Sequence, residues 1–433
     1  MKNTASETIK PQPGRNVGFI STRLAGTDGV SLETAKWAEV FEQEGFTCYY
    51  LAGQLDRPPE RSYPVPEADF RHPVVAAIYK ECFHNRVRNP SATGQLHRVR
   101  YILKRAITEF LDRFNIELLV VENALAIPLN LPLGLALTEI IAETGIPTIA
   151  HHHDFFWERQ RFLTNVVWEY LNMAFPPNLP HVRHVVINSS ANHQLGLRTG
   201  IAGIIVPNVM DFEHPPPPVD DYSSDLHKAL GLAGDQLFFL QPTRVVPRKG
   251  IEHAIELVRR IEDPAKLVIS HASGDEGYDY EQSLMAYAKL MGINTLFTSE
   301  IVGGRRGRTP GGRKIYSLPD LYAQADMITY PSTFEGFGNA FLEALYFRKP
   351  IMINVYSIYQ MDIKPKGFQV VEMNGYVNEE TVRQTRKVLS DPAFRNDMVE
   401  RNYELGKQHY SYSILHEKLK ALLGECLPGC RTA

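Results

Sequence analysis

A rhythm that runs through the chain twice constrains its fold more than any other feature. From residue 16 onward, short runs apolar on both faces alternate with helical patterns, and "NVGFIS", "TCYYLAG", "IELLVVEN", "IPTIAHHH", "HVVINSS" and "GIIVPN" read as strands. Strands apolar on both faces need cover on both sides, so they predict a parallel sheet between layers of helix. The first helix is expected in "SLETAKWAEVFEQEG", with Ser31 as N-cap and Gly45 as stop. The rhythm breaks at "MDFEHPPPPVDDYSSD" (210–225), because four consecutive prolines continue neither a helix nor a central strand. It restarts with "QLFFLQPTR", "AKLVIS", "DMITYPS", "KPIMINVY" and "GFQVVEMN".

Length agrees with two such units, since 433 residues exceed what one hydrophobic core usually organises. The expected fold is therefore α/β, with two Rossmann-like doubly wound domains facing each other across a cleft. Ligands bind outside the carboxyl ends of such strands, so functional residues are expected just after them. The expected division is a disordered leader at 1–15, an N-terminal domain at 16–210, a Pro-rich linker at 211–225, a C-terminal domain at 226–409 and a terminal segment at 410–433.

Charge excludes some functions. Lys plus Arg number 46 against 49 Asp plus Glu, which gives no global field for nucleic acid or an anionic membrane. The four cysteines form no Cys-x-x-Cys pair, which points to a reducing cytosol and a cytoplasmic protein. The leader has no apolar core of a signal peptide, and the most apolar region, 116–142, is interrupted by Glu122, Asn123, Pro128, Asn130 and Pro132. Neither a spanning helix nor membrane contact is expected.

The most informative segment is "ITYPSTFEGFGNAFLEALYFRKP". The helix starting near Asn339 is apolar almost all round, yet it carries Glu343 in its middle. A buried carboxylate there is satisfied either by a neighbouring group or by a ligand hydroxyl. The preceding turn favours the ligand: Gly336 and Gly338 let backbone N–H groups approach closely at a helix N-terminus, a natural phosphate site. Glu335 opens that turn. Two acids around an anion site suit a phosphate flanked by hydroxyl-rich groups, the description of a nucleotide-sugar. In "QPTRVVPRKGIEHA", Arg244 ends a strand and Lys249 begins the next helix, so the two could clamp a diphosphate and neutralise it as it departs.

At these residues the chain resembles the retaining nucleotide-sugar glycosyltransferases of family 4, which have the GT-B fold. The resemblance rests on "PTRVVPRKG", "LPDLYAQADMITYPS", "EGFGNAFLEA" with its E-x7-E spacing and "VPNVMDF", and covers the chain after residue 15. It implies that Arg244, Lys249 and the amides of Phe337, Gly338 and Asn339 hold the diphosphate. It also implies that Glu335 and Gly336 position the donor sugar, that Glu343 accepts from the ribose, and that no metal or other cofactor is needed for catalysis. The segment 410–423 would cross back to the first domain.

In the first domain, Gly26 and Gly29 of "STRLAGTDGVSLE" resemble the family's glycine loop, beside which Arg23, Thr27 and Asp28 become candidate contacts to a small polar acceptor. Arg23 is equally well explained as paired to a nearby carboxylate. In "IAHHHDFFWERQRF" the resemblance places His153, six residues after Pro147, at the donor sugar, with Asp154 and Arg159 on a candidate acceptor wall. His151 would share its side of the strand and His152 face the other way. A zinc site needs convergent ligands, which consecutive strand residues cannot supply, so no metal is expected there. The pair "FISTRLAGTDGVSLE" and "HHHDFFWERQRF" further resembles the mannosylglucosylglycerate synthases, enzymes of compatible-solute metabolism.

Two basic segments carry competing readings. "GGRRGRTPGGRKIYS" (303–317) reads as a mobile lid or a solvated loop, and "LHRVRYILKRAITEFLDRF" (96–114) as a membrane-docking helix or a core-facing one with a charged outer surface. The expected function is transfer of a hexose from a nucleotide-diphosphate sugar of GDP-mannose or UDP-glucose type to a small anionic acceptor. The alternatives are a lipid or polysaccharide carrier as acceptor, or a nucleotide-sugar binding protein without turnover. A homodimer is compatible with either.

Overall fold

The structure, a computed structural model, describes residues 15–26, 28–271, 278–298 and 300–427. Most of the leader and Thr27 therefore lie outside the described residues. The chain divides into two compact units, one up to Pro207 and from Leu415 on, the other Asn208–Ile414.

The first unit is built on strands β1 (Arg15–Ile20), β2 (Phe46–Ala52), β3 (Ser62–Pro64), β4 (Leu118–Glu122), β5 (Thr148–His152), β6 (Val182–Val186) and β7 (Gly203–Ile205). All are parallel, in the order β3-β2-β1-β4-β5-β6-β7. β4 and β5 are buried at every position because helices cover both faces. Helix Pro90–Phe114 contributes Leu96, Val99, Leu103, Ile107 and Phe110 to the core, each such side chain worth about 1.5–3 kcal/mol of transfer free energy. Ile107 completes the buried stripe, with Ala106 partly buried beside it. Two of its basic residues reach the neighbouring helix Leu131–Thr144, where Arg100 pairs with Glu139 and Lys104 with Glu139 and Glu143, while Arg98 and Arg105 are exposed. No helix among the described residues is long and apolar enough to cross a membrane.

The second unit carries β8 (Leu237–Gln241), β9 (Ala265–Ile269), β10 (Asn294–Phe297), β11 (Val302–Gly303), β12 (Gly307–Arg308), β13 (Lys314–Ser317), β14 (Met327–Tyr330), β15 (Ile351–Asn354) and β16 (Val371–Met373). Its main sheet is parallel in the order β10-β9-β8-β14-β15-β16. In both main sheets the strand order reverses beside the first strand, at β1/β4 and at β8/β14, and those are the switch points where loops diverge to leave a crevice.

One expectation is corrected. The first helix is capped by Asp28, whose Oδ1 accepts from the N–H of Ser31 at 3.1 Å, and not by Ser31. A carboxylate one turn earlier supplies the same cap with a full charge against the helix dipole. Residues flanking the four prolines pack on the second unit. Phe212 is buried against Tyr403 and Tyr346, and a Cβ on Gly406 would meet its ring at 2.6 Å. Asp220 and Asp225 bind Arg306 and Lys314. In 303–317, β11, β13 and β12 form a small sheet, and Arg306 bridges Asp220 and Asp320.

Candidate active site

The loop after β8 and the turn after β14 meet at one carboxylate. The turn Pro247–Lys249 ends at Gly250, whose close approach to Pro331 leaves no room for a Cβ, 2.7 Å from the Pro331 carbonyl oxygen. This brings Lys249 Nζ into an ion pair with Glu335 Oε1, while Arg248 Nη1 lies 3.3 Å from Glu335 Oε2. Both members of the first pair are buried. Burial opposes charge on Glu335, but Lys249 and Arg248 outweigh it and lower its pKa. Lys249 also has a lowered pKa, through burial and the repulsion of Arg248 and Arg244. Arg244 itself is exposed. At the end of β9, His271 is pushed down to about 4 by burial and by the positive charges of Arg244 and Lys249. The result is a basic locale with one carboxylate in it, able to receive an anion.

The turn that follows is held from beneath. Tyr356 Oη donates to the Phe337 carbonyl at 2.6 Å, and Gly338, with φ of 126°, precedes the helix Asn339–Tyr346. The Asn339 side chain accepts from Asn208 Nδ2 at 2.7 Å. Glu343 is only half-buried, and Tyr322 Oη donates to its Oε2 at 2.7 Å. A neighbouring hydroxyl thus serves this carboxylate.

In the first unit, Gly26 has φ of 81° and donates its N–H to Asp56 Oδ2 at 2.8 Å, while Gly29 is the exposed first residue of its helix. Arg23 Nη2 pairs with Asp28 Oδ2 at 3.1 Å, so the two candidate acceptor contacts bind each other. His151 and His153 lie on one side, as alternation requires, and both meet Glu122, which sequence reasoning passed over. His152 faces away and bonds His184 at 2.9 Å. Asp154 pairs with Arg159. The ligand atoms of Glu122, His151 and His153 all lie within 4.8 Å of one another, close enough to hold an ion. Consecutive strand residues do not converge by themselves; the third group, Glu122, comes from the neighbouring strand.

Residues 223–405 match the family model for group 1 glycosyl transferases. The chain is 30% identical to the mannosylglucosylglycerate synthase of Thermotoga maritima, with 93% of this chain and 98% of that one covered. It therefore belongs to the group 1 glycosyltransferases, with the mannosylglucosylglycerate synthases as its relatives. The synthase of the same name from Petrotoga mobilis is 29% identical, over 92% of this chain and 99% of its own. Among solved structures, sucrose-phosphate synthase from Thermosynechococcus elongatus has a TM-score of 0.67 at 13% identity, covering 96% of this chain and 100% of that one. Anabaena HepE in complex with UDP and glucose gives 0.63 at 14%, covering 95% and 100%. These likenesses carry the GT-B fold.

In this glycosyltransferase the turn Gly336–Gly338 has a testable sensitivity. A Cβ on Gly338 would stand 2.6 Å from Tyr356 Oη, at a φ that L residues rarely adopt. Gly338→Ala is expected to cost roughly 1–3 kcal/mol of stability and to weaken donor binding. Melting curves with and without nucleotide-sugar check both, and an unchanged donor affinity would remove the turn from the site. Arg248 and His271 are the residues of this basic locale that the sequence did not single out.

Proposed function

We propose that this glycosyltransferase moves a hexose, with retention at the anomeric carbon, from a nucleotide-diphosphate sugar of GDP-mannose or UDP-glucose type to a hydroxyl of a small anionic acceptor such as a glucosylglycerate or sugar phosphate. The observation that carries this reading is the near full-length similarity to two mannosylglucosylglycerate synthases. The cations around Glu335 at the β8/β14 switch point agree with it.

In this mechanism Arg244, Lys249 and the amides of Phe337, Gly338 and Asn339 take the charge of the leaving diphosphate, the largest catalytic contribution. The bond from the anomeric carbon to the phosphate oxygen breaks, and the acceptor oxygen bonds to the same face. Its proton passes to the departing phosphate. Glu335 and Gly336 orient the sugar, Glu343 the ribose, and His153 meets the donor sugar. Gly26, Gly29, Arg23, Thr27, Asp28, Asp154 and Arg159 serve the donor phosphate and acceptor. Protein cations would neutralise the diphosphate, so this step needs no metal, and the reading includes a cytoplasmic enzyme.

A thermal-shift screen of UDP-glucose, GDP-mannose and GDP-glucose tests the donor, because a cognate ligand stabilises in proportion to its occupancy. At 100 times Kd the cognate donor is expected to add about 2.7 kcal/mol. Incubation with glucosylglycerate and EDTA should then give a product with the donor's anomeric configuration. Binding of a donor without transfer to any soluble sugar acid would sink the acceptor assignment.

A further inference from the structure

Glu122 ends β4 with its side chain wholly buried, and its Oε2 lies 2.9 Å from Nδ1 of His151 and 3.0 Å from Nε2 of His153. The three side chains converge because Glu122 and His151 are register partners across parallel strands, and His153 follows His151 on the same side. The other carboxylate oxygen, Oε1, is buried and has no hydrogen-bond partner among the described residues. Two imidazoles thus crowd one oxygen, while its twin, equally cut off from water, has none. A buried polar atom in that position calls for a partner such as an ion. Among the described residues no other group of three His, Cys, Asp or Glu side chains brings its ligand atoms so close together.

We propose that Glu122, His151 and His153 form a binding site for a divalent transition ion of the zinc class. Bonds of about 2.0–2.2 Å to imidazole nitrogen and carboxylate oxygen, at tetrahedral angles, set neighbouring ligand atoms about 3.3–3.6 Å apart. The two nitrogen-to-oxygen distances, 2.9 and 3.0 Å, fall slightly short of that, a difference that side-chain torsions can supply. With an ion between them, each histidine gives a lone pair, and the carboxylate binds through one oxygen or both. The donor set selects the ion: two imidazoles and a carboxylate suit zinc, cobalt or iron(II), whereas magnesium and calcium take oxygen ligands. Three protein ligands leave a fourth position for water.

The ligands are held in place by their surroundings. The His151 ring lies on Trp37, with centroids 4.2 Å apart, and the His153 ring is 4.4 Å from that of His151. Asn123, with φ of 60°, accepts the His153 N–H on its Oδ1 at 3.0 Å and so fixes the backbone that carries the third ligand. Ligands locked by packing and hydrogen bonds need little further ordering when an ion arrives. The His153 side chain is 10% exposed against 1% for His151 and 0% for Glu122, so an ion enters past His153. One support is missing. A ligating histidine usually donates its second N–H to an acceptor, and Nε2 of His151 is buried without a partner among the described residues. Affinity is therefore expected about 10–100-fold below that of a fully supported site. The ion would join the ends of β4 and β5 in the first unit, whereas Arg244 and Lys249, the cations assigned to the diphosphate, belong to the second.

The test uses the full chain without a tag, stripped of metal by a chelator and titrated with zinc chloride by calorimetry. One equivalent is expected to bind and to raise the melting temperature, since an ion held by the folded chain stabilises it. His153→Ala and Glu122→Gln each remove a ligand, which should weaken binding by more than the roughly 10–100-fold that loss of an outer partner brings. Should Glu122→Gln fail to fold, His153→Ala decides, because it truncates the ligand nearest to solvent. His214→Ala removes an exposed histidine paired with Asp211 and should leave binding unchanged. A full equivalent of zinc retained by His153→Ala, or lost in His214→Ala, would overturn the site. So would heat no greater than that of dilution, or binding of magnesium in preference to zinc. The metal alone is the probe, so a chain that transfers to no sugar acid would sink the function proposed above and leave each of these readings intact.

Discussion

Arg244→Ala is expected to lower kcat and kcat/KM together by about 10²–10³-fold. An equal fall in both is the signature of a contact made only in the transition state, where the diphosphate gains charge as it leaves. Stability should hardly change, because the side chain is exposed and substitutions at such positions stay within about 0.5 kcal/mol. Steady-state kinetics alongside a melting curve separate the two effects. A rise in KM alone would mean that Arg244 binds donor equally before and during reaction. A wild-type kcat would pass the leaving-group role to Arg248, which lies 3.3 Å from Glu335.

The strands of both main sheets were mostly legible because burial on two faces leaves runs such as those of β4 and β14 with few polar interruptions. β3, β10 and the β11–β13 ribbon were not, being short, partly exposed or glycine-rich. Within the candidate site, local spacing and resemblance pointed to Arg244, Lys249 and the Gly336–Gly338 turn. Glu122 and Asn123 were seen only as breaks in an apolar run, since their partners lie 29 to 31 residues away and meet them through strand register. The ion pair of Lys249 with Glu335 was hidden for the same reason, across 86 residues. Sequence locality finds loops that cradle a ligand by themselves, and misses side chains that meet only once a parallel sheet has aligned them.

Lys249→Met is expected to be among the most destabilising single changes in the second unit, because it leaves the buried Glu335 without its main partner. Removing one member of a buried pair costs roughly 3–5 kcal/mol, and the remaining Arg248 places this case at the lower end. Adding Glu335→Gln should restore most of that loss, since the orphaned charge disappears, yet transfer should stay abolished. Urea unfolding of the two single variants and the double one measures the coupling, expected at about 1–3 kcal/mol. The wild type's advantage depends on Glu335 being ionised, and its lowered pKa means that this contribution holds above the ordinary carboxylate range and fades as pH falls through the folded value. A double variant as unstable as Lys249→Met would show that the pair is not the source. If instead it folds well and does not transfer, the pair's contribution to stability is separable from its part in transfer.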